Sequence, residues 1–128
     1  MERVSILLVD ASPEFLDSAA HFLSLEPRLE VVGRTHSDEE AAELAARLQP
    51  ALVLLGWGLS GLALARRLKT EMPATRVLLL TVYDQVGYEV VVGQGAVDGV
   101  LAKSRFGSDL FPLLEAWFGR ARLGEQPA

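Results

Sequence analysis

Residues 52–61, LVLLGWGLSG, pass from an apolar run into a glycine-rich turn. The apolar part has the length and composition of a strand buried on both faces, and it ends at Gly56. Ser60, the expected helix cap, and Gly61 then open a segment with helical spacing. A buried strand followed directly by a helix is the repeating unit of an α/β protein, in which ligands meet the carboxyl ends of the strands.

The rest of the chain repeats this alternation of strand and helix. Strand-type runs begin near Val4, Glu30, Ala51, Arg76 and Val97. Runs such as VSILLV and VLLLTV are apolar on both faces, as central strands of a parallel sheet are. This spacing predicts right-handed βαβ units. The predicted fold is therefore α/β, a flavodoxin-like doubly wound five-stranded parallel sheet of order 2-1-3-4-5, with five helices in a single domain.

Several boundaries follow from local signals. Ser108 is the expected cap of the last helix, which would place Pro112 in the first turn, where proline is tolerated. A short fourth helix is predicted near 84–94, where DQVGYEVVVGQG carries three glycines and three consecutive valines, all weak helix formers. We expect residues 1–120 to form the domain and 121–128 a tail or the start of a linker.

The composition excludes several classes of function. The chain has 128 residues, half of them apolar, a net charge of −5 and no cysteine, so disulfides, thiolate chemistry and cysteine-based zinc sites are absent. The apolar runs are of strand length and no secretory signal is present, so a cytoplasmic location is expected. Basic residues are scattered, unlike those of a nucleic-acid-binding face. His21 and His36 lack neighbouring ligands, and no metal site is predicted from them.

Four residues directly follow the predicted strands 1, 3, 4 and 5: Asp10, Gly56, Thr81 and Lys103. A carboxylate, a hydroxyl and an amine would therefore face one crevice at the carboxyl ends of the strands, beside a glycine that has no side chain. Together with the flanking sequences ILLVDAS, VLLLTVYD and GAVDGVLAKS, this arrangement resembles the receiver domain of two-component response regulators. The resemblance covers residues 4–118 and is strongest to receivers that precede helix-turn-helix output domains.

In that family an aspartate at the end of strand 3 accepts a phosphoryl group and holds Mg²⁺ together with an acidic pair after strand 1. The resemblance implies that Asp10 matches the first acid of the pair and that Ala11 replaces the second. Thr81 and Lys103 match the hydroxyl and the amine that contact the phosphoryl group. Gly56 stands at the acceptor position and offers no nucleophile, so phosphorylation there is not expected. No cofactor is expected, and Mg²⁺ binding should be weak or lost with Asp10 alone.

Asp10 has two interpretations. It is either an ordinary acid near the start of helix 1, favoured by the helix dipole, or the counterion of Lys103, which would otherwise face an empty crevice. We predict a salt bridge between Asp10 and Lys103, with their charged atoms within about 4 Å. Thr81 is expected to be a structural hydroxyl at a strand end rather than a switch.

Gly56, Gly58 and Gly61 also spell GxGxxG between a strand and a helix, and Asp84 follows them. The motif lies in the third unit rather than the first, and Asp84 is farther away than in dinucleotide folds. Both facts favour a shortened receiver loop. The alternative is a small nucleotide- or anion-binding protein that uses the Gly56–Gly61 loop. A receiver phosphorylated elsewhere, for example at Asp84, is a third hypothesis, without neighbouring acids to support it.

The favoured function is a bacterial receiver-like signalling domain, not an enzyme, that acts by phosphorylation-independent protein–protein contact. Receivers commonly dimerise and signal through the face of helix 4, strand 5 and helix 5. We therefore expect a protein partner or a homodimer through this face, and neither nucleic acid nor membrane bound by this domain. The candidate contacts are Trp57, Leu59, Val90, Val91 and Val100, the last at a frequent aromatic switch position. Trp57 either folds into the vacated pocket, which we favour, or anchors a partner.

Overall fold

Five strands form one parallel sheet: β1 (Val4–Val9), β2 (Leu29–Thr35), β3 (Leu52–Gly56), β4 (Arg76–Thr81) and β5 (Gly99–Ala102). Their order is β2-β1-β3-β4-β5, which confirms the predicted topology. The structure is a computed structural model, and it describes residues 3–56, 61–82 and 97–119. β1, β3 and β4 lie in the middle of the sheet, which agrees with their continuous apolar sequences.

Four α-helices lie in the described residues: α1 (Pro13–Ser24), α2 (Asp38–Leu48), α3 (Gly61–Glu71) and α4 (Phe106–Phe118). Five helices were predicted; the one near 84–94 lies outside these residues. A short 3₁₀ turn, Lys103–Arg105, connects β5 to α4. In the part of the chain that the structure describes, none of the helices combines the length and apolar character needed to span a membrane.

The core has two layers, one on each face of the sheet. Successive residues of a strand point to opposite faces, so Leu54 packs with α1 and α4 whereas Leu55 packs with α2 and α3. Both residues are fully buried, as are their neighbours in β1 and β4. The carboxyl ends of the strands lie between the two layers, at the edge of the sheet where ligands bind in α/β folds.

α1 and α2 begin at serine caps. The Ser12 hydroxyl accepts a hydrogen bond from the Phe15 amide at 3.2 Å, and the Ser37 hydroxyl accepts one from the Glu40 amide at 3.3 Å. Each cap satisfies an amide that has no partner within the helix. The cap of α1 lies three residues after the end of β1, and the turn between them contains Asp10.

The predicted cap at Ser108 is wrong. α4 begins at Phe106, directly after the 3₁₀ turn, and Pro112 lies inside the helix rather than in its first turn. The early start buries Phe106 in the core, and this burial outweighs the local capping signal. Pro112 is tolerated because Ser108, whose carbonyl loses its helical donor, is exposed to solvent.

Asp98 ties the amino ends of β4 and β5 together. Its carboxylate accepts a hydrogen bond from the Val77 amide at 2.7 Å and pairs with the Lys69 ammonium at 3.0 Å. The same ammonium donates to the carbonyls of Pro73 and Thr75. β5 is only four residues long, so this cluster sets its register against β4 and thus the place where Lys103 leaves the sheet.

Trp117 packs directly against Gly99 at the start of β5. A Cβ atom on Gly99 would lie 2.9 Å from Trp117 Cζ2 and 3.1 Å from Cη2. The Arg76 guanidinium lies 5.5 Å from the centroid of the indole and contributes a cation–π contact. The close approach of α4 to β5 therefore requires glycine at position 99.

We predict that Gly99→Ala lowers the free energy of unfolding by about 1–3 kcal/mol, because the added methyl group overpacks the contact with Trp117. Gly107→Ala is the matched control, since a Cβ there meets nothing within 4 Å. In helix α4 it should be neutral or stabilising by up to about 1 kcal/mol. Urea unfolding of both variants checks this, and a Gly99→Ala protein as stable as the parent would contradict it.

Candidate functional site

The parallel register brings the four predicted residues to one edge of the sheet. Asp10 follows β1 directly, Gly56 and Thr81 end β3 and β4, and Lys103 follows β5. Gly56 pairs with Leu80, and Thr81 with Ala102, so the strand ends are level. Asp10 and Thr81 are each about 3% exposed, so both side chains are withdrawn from solvent.

The predicted salt bridge between Asp10 and Lys103 is confirmed. Lys103 Nζ lies 2.7 Å from Asp10 Oδ2, and the Asp10 and Lys103 side chains are 5% and 23% exposed. The buried Asp10 Oδ2 atom accepts no hydrogen bond of suitable angle. Its attraction to the Lys103 ammonium compensates for that missing hydrogen bond. Burial of either charge without the other would carry a large desolvation cost.

The other oxygen of Asp10 is engaged as well. The Ser12 amide donates a hydrogen bond of 2.9 Å to Asp10 Oδ1. Ala11, between them, is exposed and contributes no polar group to the site. Asp10 thus combines both of its sequence interpretations: it supports the turn into α1 and it is the counterion of Lys103.

Phe15 is a site residue that the sequence analysis missed. The Lys103 ammonium lies 4.3 Å from the centroid of the Phe15 ring, within the range of a cation–π contact. The same ring meets Phe106 edge-on, with centroids 5.5 Å apart. No local pattern could have identified Phe15, because it belongs to α1 and approaches Lys103 from 88 positions earlier in the chain.

Gly56 lies against the carboxylate of Asp10. A Cβ atom on Gly56 would fall 2.8 Å from Asp10 Cγ, and closer still to Asp10 Oδ2. Carbon atoms in ordinary contact are about 3.5–4.0 Å apart. With Asp10 in this position, residue 56 has room for no side chain.

Of the five residues predicted to contact a partner, the structure describes one, Val100. Val100 is half-buried beside the core layer of α2 and α3. Trp57, Leu59, Val90 and Val91 lie outside the described residues, as do Ser60 and Asp84. Within the described ranges, no cluster of three or more His, Cys, Asp or Glu side chains could hold a metal ion.

Arg105, two residues after Lys103, fixes the first turn of α4. Its Nε lies 2.6 Å from Asp109 Oδ2. The hydrogen bond from Arg105, followed by one from Ser108, holds the pKa of the Asp109 carboxyl below its ordinary value. A carboxyl with a lowered folded-state pKa stabilises the fold above its unfolded pKa, so this contribution disappears as the pH falls through the folded pKa.

Comparison with known proteins identifies a family for this arrangement. The model of the response regulator receiver domain family matches residues 6–114. The nitrate/nitrite response regulator protein NarL of Escherichia coli (strain K12) is 29% identical over 116 residues, which cover 88% of this chain and 54% of that protein. The transcriptional regulatory protein DegU of Brevibacillus brevis is 27% identical over 89% of this chain and 48% of that protein. The chain thus spans about half the length of these curated relatives.

The fold recurs in solved structures. The crystal structure of a two-component response regulator of the LuxR family, from Aurantimonas sp. SI85-9A1, superposes with a TM-score of 0.83. The match covers 94% of this chain and 89% of that one, at 22% sequence identity. At this level of identity the likeness shows a common fold.

We predict that Asp10 and Lys103 are energetically coupled. Asp10→Asn and Lys103→Met should each destabilise the fold, because each leaves an uncompensated charge or a buried polar group. The double variant should lose less than the sum of the two, by about 0.5–3 kcal/mol. Urea unfolding of the four proteins measures this coupling.

The control is the exposed pair Arg67–Glu71, at 3.0 Å in one turn of α3. The cycle of Arg67→Met and Glu71→Gln should give a coupling of about 0.3–0.5 kcal/mol, which 1 M salt screens. The Asp10–Lys103 coupling should persist in that salt. Additive losses at positions 10 and 103 would show that the ion pair contributes nothing.

Proposed function

Because the chain belongs to the receiver domain family of response regulators, we propose that it is a receiver that signals by protein contact without phosphorylation at the end of β3. The observation that carries this proposal is Gly56 at that strand end, packed against the paired carboxylate of Asp10. An acyl phosphate requires a carboxylate nucleophile, and glycine supplies none.

The surrounding residues are also unsuited to Mg²⁺. Mg²⁺ prefers oxygen ligands and is usually held by one or two carboxylates together with phosphate oxygens. Among Asp10, Ala11, Gly56, Thr81 and Lys103, Asp10 has the only carboxylate, and an amide and an ammonium engage its oxygens. We therefore expect Mg²⁺ to bind weakly or not at all, and we propose no catalytic activity and no cofactor for this domain.

We propose that the output is a contact with another protein or with a second copy of this chain. The surface would comprise residues near 84–94, β5 and α4. Two features support it: α4 carries large apolar residues that the core covers only in part, among them Leu113 and Trp117, and Val100 on β5 is half-buried. The named relatives are a response regulator and a transcriptional regulatory protein about twice as long as this chain. We infer a domain that controls an attached or associated effector in the cytoplasm.

We predict that the parent protein does not respond to phosphoryl chemistry. Thermal unfolding should show no shift with Mg²⁺ and beryllofluoride, and intact mass should show no phosphoryl group after incubation with acetyl phosphate. A ligand at 100 times its Kd would stabilise the fold by about 2.7 kcal/mol, a shift of several degrees. A receiver with an acceptor aspartate, treated in parallel, serves as the positive control.

Two outcomes would contradict the proposal. A shift with beryllofluoride, or a phosphoryl adduct, would show that the site accepts phosphoryl groups despite Gly56. A shift with NAD or NADP would favour the nucleotide-binding alternative at the Gly56–Gly61 loop, of which residues 57–60 lie outside the described part of the chain.

We further predict a homodimer that depends on the proposed surface. Sedimentation velocity of the parent should show a concentration-dependent dimer, and Val90→Lys/Val91→Lys should raise its Kd by about tenfold or more, equivalent to about 1.4 kcal/mol. Ala46→Lys, on the exposed side of α2, is the control and should leave the Kd unchanged. A parent that stays monomeric would contradict the homodimer, and a dimer that both variants leave intact would contradict this surface.

A further inference from the structure

We propose that the carboxylate of Asp10 has taken over both the space and the charge of an acceptor side chain at position 56. The site is then neutral and filled without a phosphoryl group or Mg²⁺, and it has one stable arrangement. This rests on the proposed function, since it describes how a receiver with Gly56 keeps its site intact. Its specific content concerns this chain, in which the Asp10 carboxylate lies against Gly56 and no Mg²⁺ is expected to balance further acids: here positions 10 and 56 are alternatives, and the site accommodates one carboxylate, from one strand end or the other.

The argument from space begins at Gly56. A Cβ atom there would lie 2.8 Å from Asp10 Cγ and 3.4 Å from Asp10 Cα. The contact with Cα is ordinary, whereas the contact with Cγ is too short for carbon atoms. The conflict is therefore with the carboxylate of Asp10 rather than with its backbone, and it disappears if residue 10 is shortened to alanine.

The argument from charge begins at Lys103. Its side chain is 23% exposed, and an ammonium with so little water needs a counterion. Asp10 supplies one negative charge at 2.7 Å, and the face of Phe15 adds a second favourable contact at 4.3 Å. One carboxylate neutralises one ammonium, so a second carboxylate from residue 56 would add an unpaired negative charge in the same volume.

Asp10 is also held by the backbone. Its Oδ1 accepts the hydrogen bond of the Ser12 amide, which is part of the turn into α1. The ion pair thus joins the end of β1 and the start of α1 to the 3₁₀ turn before α4. The lysine thus has a partner that does not depend on residue 56.

Relocation of the carboxylate tests the proposal. Asp10→Ala and Gly56→Asp should each lower Tm by several degrees, the first by leaving Lys103 unpaired and the second by the clash and the extra charge. The double variant, with its carboxylate at position 56, should recover at least half of the summed loss. The part of the Tm loss that is not recovered reflects the Ser12 amide, which loses its hydrogen-bond acceptor when Asp10 is replaced. Gly107→Asp, at an open position of α4, should change Tm little.

A smaller substitution covers the case in which Gly56→Asp fails to fold. Gly56→Ala should lower Tm in the parent but have little effect in the Asp10→Ala background, because among the described residues only the Asp10 carboxylate lies too close to its methyl group. Additive losses in either pair of variants would overturn the proposal. A Gly56→Asp or Gly56→Ala protein as stable as the parent would overturn it as well.

Failure of this proposal and failure of the proposed function give different results. If the parent takes up beryllofluoride or a phosphoryl group while the double variant recovers its Tm, the proposed function fails and the exchange of carboxylates holds. If the parent is inert and the losses are additive, the exchange fails and the proposed function stands.

Discussion

The ion pair between the buried Asp10 and the half-buried Lys103 is the interaction on which the carboxyl end of this sheet depends. It joins the turn after β1 to the turn after β5 across the ends of β3 and β4, the two strands that lie between them. An ammonium and a carboxylate with so little access to water are stable together and costly apart. The pair therefore determines what else the site can hold, including the side chain that residue 56 can carry.

The opposite end of the sheet makes this geometry possible. Asp98 fixes the start of β5 by accepting from the Val77 amide and pairing with Lys69. Trp117 then lies close on Gly99, which holds α4 against the short strand. With β5 positioned in this way, Lys103 leaves the sheet beside the end of β4, within reach of α1. The four residues of β5 thus connect the Asp98 cluster at the amino end of the sheet to the ion pair at its carboxyl end.

The error at α4 shows where local signals are weak. Ser108 has the side chain of a helix cap and Pro112 favours a first turn, so both pointed to the same start. The helix begins earlier because Phe106 gains more from burial against Phe15 and Phe22 than a serine cap would contribute. Burial depends on which distant residues come together, and such contacts leave no trace in a short window of sequence.

The sequence by itself determined the topology of the sheet, the residues at the strand ends and the pairing of Asp10 with Lys103, because apolar periodicity and strand order place these groups at one edge. Only the tertiary structure decided that Phe15 would cover Lys103 and that the carboxylate of Asp10 would lie where a side chain of residue 56 would begin. Both are contacts between elements far apart in the chain. Their distances depend on packing to within a few tenths of an ångström, which residue order does not specify.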